Sequence, residues 1–315
     1  MRLLLKSLLG LALLAVVYLA ADHLAPAPMA RATLALQHRL AGLKPAQAEI
    51  PGFRIAYLDS QSTDAVPLVL VHGIGADKDN FGMLAMFLRD YRVIALDLPG
   101  FGASDKPLDG DYSITAQAEH LGQFLDALHL QQVHLGGNSM GGAIVLEYAR
   151  QHPERVQSLW LLDPAGVRGH AKESEMLRRY REHGDMALFA QTPEQFAGVM
   201  DIAMARQPPL PYSLKHELAL AAAANYPLHT RIFKSLVDGM PELDQTAAGL
   251  ATPALIVWGE LDRVLDVSGG EALHKALPNS QLVVLPGIGH LPMLEDPYHV
   301  AADYRRFRAG LAASH

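Results

Sequence analysis

The chain has 315 residues, half of them hydrophobic, a formal net charge of −7 and no cysteine. That charge argues against a nucleic-acid partner, and the missing cysteines exclude disulfides, a thiol nucleophile and thiolate metal sites. The sequence carries no repeat, low-complexity tract or metal motif, so no cofactor or metal is expected, and its length suits one large domain with an insertion.

From Leu3 to Ala21 the sequence is apolar except for Lys6, approaching the roughly 20 residues a bilayer span requires. Its uncharged part, Ser7 to Ala21, is short enough for a secretory leader. Cleavage signals are poor, because Ala25-Pro26-Ala27 is followed by Pro28 and Leu19-Ala20-Ala21 places a large residue where a small one is required. Residues 1–27 therefore read as an uncleaved transmembrane signal anchor, with secretion after cleavage as the alternative. Arg2, Lys6 and the terminal amine would stay cytoplasmic, leaving the following domain on the periplasmic face of a bacterial inner membrane; Arg31 and Arg39 weaken that asymmetry without reversing it. Residues 28–47 predict an amphipathic juxtamembrane helix, with Met29, Leu36, Leu40 and Leu43 on one face and Arg31, His38 and Arg39 elsewhere. Three partners suit it: the following domain, lipid, or a second copy in a homodimer.

Residues 48–60 predict an antiparallel hairpin, and strands are expected at 68–71, 92–96, 132–136, 157–162, 254–258 and 281–285, alternating with helix-like segments. The first of these runs into His72-Gly73-Ile74-Gly75, a turn that presents the Ile74 backbone N–H; His72 reads as structural. Gly137-Asn138-Ser139-Met140-Gly141 falls between a strand and a helix-like segment, the context of a G-x-S-x-G nucleophile elbow. Its strained turn would project the Ser139 hydroxyl, and the Met140 N–H would join that of Ile74 in an oxyanion hole.

Between Asp163 and Thr252 strand signals stop, and helices are expected at 172–183, 193–205, 212–224 and 229–238. Residues 168–250 thus read as a helical lid inserted into a core of residues 48–167 and 251–315. Met176, Leu177, Phe189, Phe196, Met200, Ile202, Met204, Leu218, Ile232, Phe233 and Leu236 are most simply its own core. Met176, Phe189, Met200, Met204 and Phe233 are the candidates among them for lining an acyl pocket.

A serine needs a base and an orienting carboxylate. His290 lies in the Gly-flanked loop after one strand and Asp262 in the loop after the strand before it. Asp163, after an earlier strand, is a rival for reaching the same histidine, its alternative being a turn or capping carboxylate before Pro164. Glu260 reads as solvated, and His120, His129 and His134 as ordinary core or surface residues.

These residues, over positions 48 to 311, resemble the α/β-hydrolase superfamily, in which serine, acid and histidine follow in that chain order. Gly75 to Asn80, Asp97 to Ser104, Gly137 to Gly142 and Asp163 to Val167 look more narrowly like bacterial membrane-anchored lipases and phospholipases A related to monoacylglycerol lipases. The resemblance implies an α/β-hydrolase fold, a mainly parallel sheet flanked by helices, with Ser139, Asp262 and His290 as the triad and Ile74 and Met140 as the oxyanion hole. It further implies a serine carboxyl-ester hydrolase releasing fatty acids from membrane glycerolipids. Ser139 argues against the dehalogenases and epoxide hydrolases of this fold, which place an aspartate at the elbow. The rival readings are a carbon–carbon bond hydrolase or soluble-ester esterase on the same triad, and a non-enzymatic lipid sensor.

Overall fold

A computed structural model describes residues 2–62, 66–168 and 171–313. The first two elements are helices, α1 (Arg2–Leu24) and α2 (Pro26–Ala41), which meet at an angle of 116°. The break lies at Ala25-Pro26, where proline at the first helical position starts a new helix. Among the described residues no single helix is long and apolar enough to cross a membrane, although part of α1 and α2 pass that test as a bent pair. Leu11, Leu13, Leu14, Val16, Val17 and Leu19 are all exposed. The terminal amine and the Lys6 side chain invoked for orientation lie outside the described residues.

The amphipathic helix expected over residues 28–47 ends earlier than expected. Gly42, in the left-handed region at φ 74°, ends α2, and strand β1 (Lys44–Ile50) takes residues expected to be helical. Ala30 and Ala41 are buried, with Thr33, Leu34, Gln37 and His38 half-buried between them, whereas Leu36 and Leu40 stay exposed. Small residues on the buried face let α2 approach the catalytic body closely, and His38 Nε2 sits 2.5 Å from Asp79 Oδ1. The described contacts of α2 include the domain that follows.

The remaining elements, in chain order, are β2 (Phe53–Asp59), β3 (Leu68–Val71), α3 (Gly82–Ala85), β4 (Val93–Leu96), α4 (Ile114–Ala127), β5 (Val133–Asn138), α5 (Met140–Gln151), β6 (Val156–Leu162), α6 (Glu175–His183), α7 (Phe196–Ala203), α8 (Tyr212–Gly239), α9 (Leu243–Thr246), β7 (Ala254–Gly259), α10 (Ser268–Ala276), β8 (Ser280–Leu285), α11 (Pro292–Glu295) and α12 (Pro297–Ala313). The eight strands form one mixed sheet in the order β1-β2-β4-β3-β5-β6-β7-β8. The β1–β2 and β2–β4 pairs are antiparallel and the rest parallel. The inner strands β3, β4 and β7 are buried on both faces, as helix-covered strands must be, which is why they read as unbroken apolar runs, whereas the edge strand β8 is partly exposed. Strand order reverses between β3 and β5, so the crevice at their carboxyl ends is where such a sheet offers a site.

Two features of the lid differ from expectation. The segments expected as two helices form one, α8, which continues through Pro227. The Asn225 amide donates to Ala221 O (2.8 Å) and the Thr230 hydroxyl to Tyr226 O (2.7 Å), one on either side of the proline. The expected lid core also divides: Met176, Ile202 and Phe233 cluster with half-buried Leu177 and Phe189, whereas Ile232 and Leu236 of α8, with Leu228, Leu243 and Ala247, pack into the main α/β core.

Candidate active site

The chain after β5 turns directly into α5, and Ser139 at the turn has φ 55° and ψ −120°, a conformation that costs a non-glycine residue energy. Glycine is required on either side by close approach. A Cβ on Gly141 would lie 2.1 Å from Val71 O, and one on Gly137 would lie 2.3 Å from Gly141 O. The strain is held by backbone bonds on both flanks: Ser139 N–H donates to Leu162 O (3.0 Å), and Ser139 O accepts from Ala143 (3.1 Å) and Ala165 (2.9 Å). Met140 is the first residue of α5, so its N–H belongs to the group that has no acceptor within the helix. The β3 loop passes against the serine, since a Cβ on Gly73 would sit 3.1 Å from Ser139 Cβ, and Ile74 follows it.

Asp262 and His290 come together from the loops after β7 and β8. His290 Nδ1 is 2.7 Å from Asp262 Oδ2, with both side chains buried. Asp262 Oδ1 accepts the N–H groups of Val264 (2.7 Å) and Leu265 (3.0 Å), which fixes the plane of the carboxylate. Asp163 lies beside them: one ligand atom each from Asp163, Asp262 and His290 falls within 4.8 Å of the others. Such a donor set could hold a metal ion by type, but the His290–Asp262 hydrogen bond occupies the two groups with each other. Asp163 Oδ1 accepts from Gly259 N–H (2.8 Å), and its carboxyl is raised well above the ordinary range by burial first and the Asp262 charge second. The contact to His290 thus favours Asp262 over its rival.

Three residues given no role in the sequence reading tie this geometry together. The Asn138 amide donates both to Leu162 O (3.1 Å) and to His290 O (3.0 Å), joining the elbow to the histidine loop. Glu295 accepts from Gly289 N–H (3.0 Å), Ala205 N–H (2.9 Å) and Arg206 N–H (2.8 Å), while His290 N–H donates to Ala203 O (2.9 Å), so the histidine loop is bound to the end of α7 in the lid. Asp22, at the end of α1, accepts from Tyr212 N–H (2.9 Å) and Ser213 N–H (3.2 Å) at the start of α8. His72 is structural: Nδ1 lies 2.7 Å from Gly73 O, Leu98 N–H donates to Nε2 (3.1 Å), and burial lowers its pKa, keeping it neutral. Glu260 is exposed and accepts from Gly287 N–H (3.0 Å).

The expected acyl-lining residues divide. Met176 and Phe233, with half-buried Phe189, form one apolar cluster that includes Ile74 from the oxyanion loop and Val264 and Leu265 from the Asp262 loop. Met204 instead lines a cavity of about 650 Å³ with Asp201, Ala205, Gln207, Leu261, Asp262 and Arg263. Ser139 is not among the residues lining that cavity. Met200 is half-buried on α7, its carbonyl accepting from Met204 N–H (3.0 Å).

Residues 66–297 match the profile of a family described as having the alpha/beta hydrolase fold. The chain is 35% identical over 262 residues to Lipase 3 of Moraxella sp. (strain TA144), covering 82% of each. It is 29% identical over 245 residues to the human monoacylglycerol lipase ABHD6, covering 74% of this chain and 72% of the relative. Among solved structures, a membrane phospholipase A described as a bacterial virulence factor superposes with a TM-score of 0.89 at 39% identity, covering 98% of this chain and 99% of that one.

Proposed function

The chain belongs to the α/β-hydrolase fold family and is an ester hydrolase, and from that premise we propose that it releases fatty acids from membrane glycerolipids through Ser139, Asp262 and His290. The observation that carries this reading is the 2.7 Å contact from His290 Nδ1 to Asp262 Oδ2 beside a strained serine at the strand-to-helix turn. Asp262 holds the Nδ1–H tautomer, which leaves Nε2 as the base. His290 takes the Ser139 proton as Oγ attacks the ester carbonyl, and the N–H groups of Ile74 and Met140 hold the oxyanion. The C–O bond to the alcohol breaks as His290 returns the proton to it. Water, deprotonated by the same histidine, then releases the fatty acid and restores Ser139.

Lipid as substrate is supported by the names of the relatives, lipases and a membrane phospholipase A, and by the apolar lid cluster that reaches Ile74. α1, with its exposed leucines and valines, is the proposed anchor in the bacterial inner membrane, with the catalytic body on the periplasmic side. Leu36 and Leu40 add an outward apolar stripe on α2 that suits lipid contact or a second copy of the chain.

The test is fatty-acid release by full-length protein from diacyl phospholipid, lysophospholipid, monoacylglycerol and short soluble esters, with Ser139→Ala as control. Serine-dependent release from the lipids is expected. Turnover of soluble esters alone would overturn the lipid reading, and turnover undiminished in Ser139→Ala would overturn the mechanism.

A further inference from the structure

The triad reading uses one of the two carboxyl groups beside His290. Asp163 is fully buried, has a strained φ of 44°, and holds only one of its oxygens in a described bond, Oδ1 to Gly259 N–H at 2.8 Å. Oδ2 is buried without a described partner. Asp262 is saturated on its other sides by Val264, Leu265 and His290. Two like charges this close, shielded from water, cannot both ionise, and an unpartnered buried carboxylate oxygen is costly. Both difficulties are removed by one proton.

Resting on that reading of the triad, we propose that Asp163 is a positioning residue held as the neutral acid, its Oδ2–H donated to the Asp262 carboxylate. The pair then carries a single negative charge, and the proton stays on Asp163 Oδ2 throughout turnover. The groups facing it are Asp262 and His290, with Glu295 of α11 contributing repulsion from farther away; the only positive charge among them is the transient imidazolium of His290, which Asp262 pairs. The consequence for chemistry concerns His290. A second negative charge at this distance would compete with Asp262 for the Nδ1–H of His290 and disturb the contact that orients the imidazole. The neutral acid avoids this and holds Asp262 in plane.

Asparagine tests the proposal cleanly. Its amide oxygen can accept from Gly259 N–H, its NH₂ can donate to Asp262, it tolerates positive φ, and it has the charge of the neutral acid. In difference infrared spectra of full-length wild-type protein against Asp163→Asn at neutral pH, a protonated-carboxyl C=O band is expected in the wild type alone; its absence overturns the proposal. This measurement needs no turnover, so it stands apart from the triad reading, which fails if Ser139→Ala remains active. The acid limb of kcat/KM should coincide in wild type and Asp163→Asn, whereas an ionised Asp163 would make that limb fall to lower pH when the charge is removed. Asp163→Ala should lower kcat about tenfold with KM unchanged, the loss of one buried hydrogen bond, and Asp163→Asn should restore it. Equal defects in both variants would overturn the proposal.

Discussion

Asp262→Asn is the sharpest perturbation of the proposed triad, because the structure dictates how the amide must sit. Oδ1 of Asp262 receives two backbone N–H groups, from Val264 at 2.7 Å and Leu265 at 3.0 Å, while Oδ2 faces His290 Nδ1 at 2.7 Å. In the variant the amide oxygen has to remain with the two N–H donors, since the reverse orientation would point NH₂ at both. The NH₂ group therefore faces His290 and donates to Nδ1. The imidazole must then carry its proton on Nε2, the tautomer that cannot take a proton from Ser139. A histidine locked in the wrong tautomer costs about 10⁴-fold in kcat, or roughly 5.5 kcal/mol of barrier. Stability should stay near wild type, because every hydrogen bond has a replacement. Asp262→Ala is the control: it also loses activity but leaves the Val264 and Leu265 N–H groups without their acceptor, at about 1–3 kcal/mol for each one that stays dry. Hydrolysis of a chromogenic short-chain ester at neutral pH reads kcat, and thermal unfolding reads stability. An Asp262→Asn enzyme within about tenfold of wild type would refute the assignment of Asp262.

The strain at Ser139 predicts a trade between activity and stability. Ser139→Gly relieves the φ of 55° and should unfold at a higher temperature than Ser139→Ala, by roughly 1–3 kcal/mol, both being inactive; equal midpoints would show that the turn is unstrained. His229 of α8 stacks on Phe101 and lies 3.3 Å from Gly100 O, and burial lowers its pKa to about 4. The unfolded chain therefore binds this proton first as pH falls, so stability is present above the ordinary value of 6.5 and is lost towards 4, at up to about 1.4 kcal/mol per pH unit. His229→Gln should flatten that window in denaturant titrations, and an unchanged slope would discount the histidine. Asp22→Ala removes the acceptor for the first N–H groups of α8, so amide exchange at Tyr212 and Ser213 should quicken while that at β5 does not; unaltered exchange at Tyr212 would show that α8 does not depend on α1.

The strands and the site loops could be read from the sequence because each depends on local chemistry. Unbroken apolar runs such as Leu68 to Val71 need only a doubly covered sheet, and Gly137 to Gly141 are imposed by contacts within one turn and its neighbouring strand. The acid was harder. Asp163 and Asp262 both follow a strand at the same edge of the sheet, and only the 2.7 Å contact to His290 separates them. Helix faces were read less well. On α2 the leucine stripe left the domain, lipid or a second copy as its partner, and in the fold Leu36 and Leu40 remain exposed while Ala30 and Ala41 are buried. Proximity to another helix selects small residues as readily as large ones, and periodicity of bulk cannot show which neighbour will be present. On α8 the helices expected at 212–224 and 229–238 join into one that runs through Pro227, and residues beyond it reach the main core.

The ties that hold lid, α1 and site together share a reason for being invisible. Asp22 reaches Tyr212 across 190 residues, Glu295 reaches Ala205 across 90, and Asp163 reaches Gly259 across 96. In every case a carboxylate meets a backbone N–H, a group carried by every residue except proline, so nothing at the receiving position marks it in the sequence. A carboxylate reads as solvated until the fold shows what it faces. These bonds also have a mechanical consequence. The start of α8 is held by the end of α1, and the end of α7 is held by the loop that carries His290. A displacement of the N-terminal helix therefore bears directly on the lid, and a displacement of α7 bears on the histidine, without any further element between them.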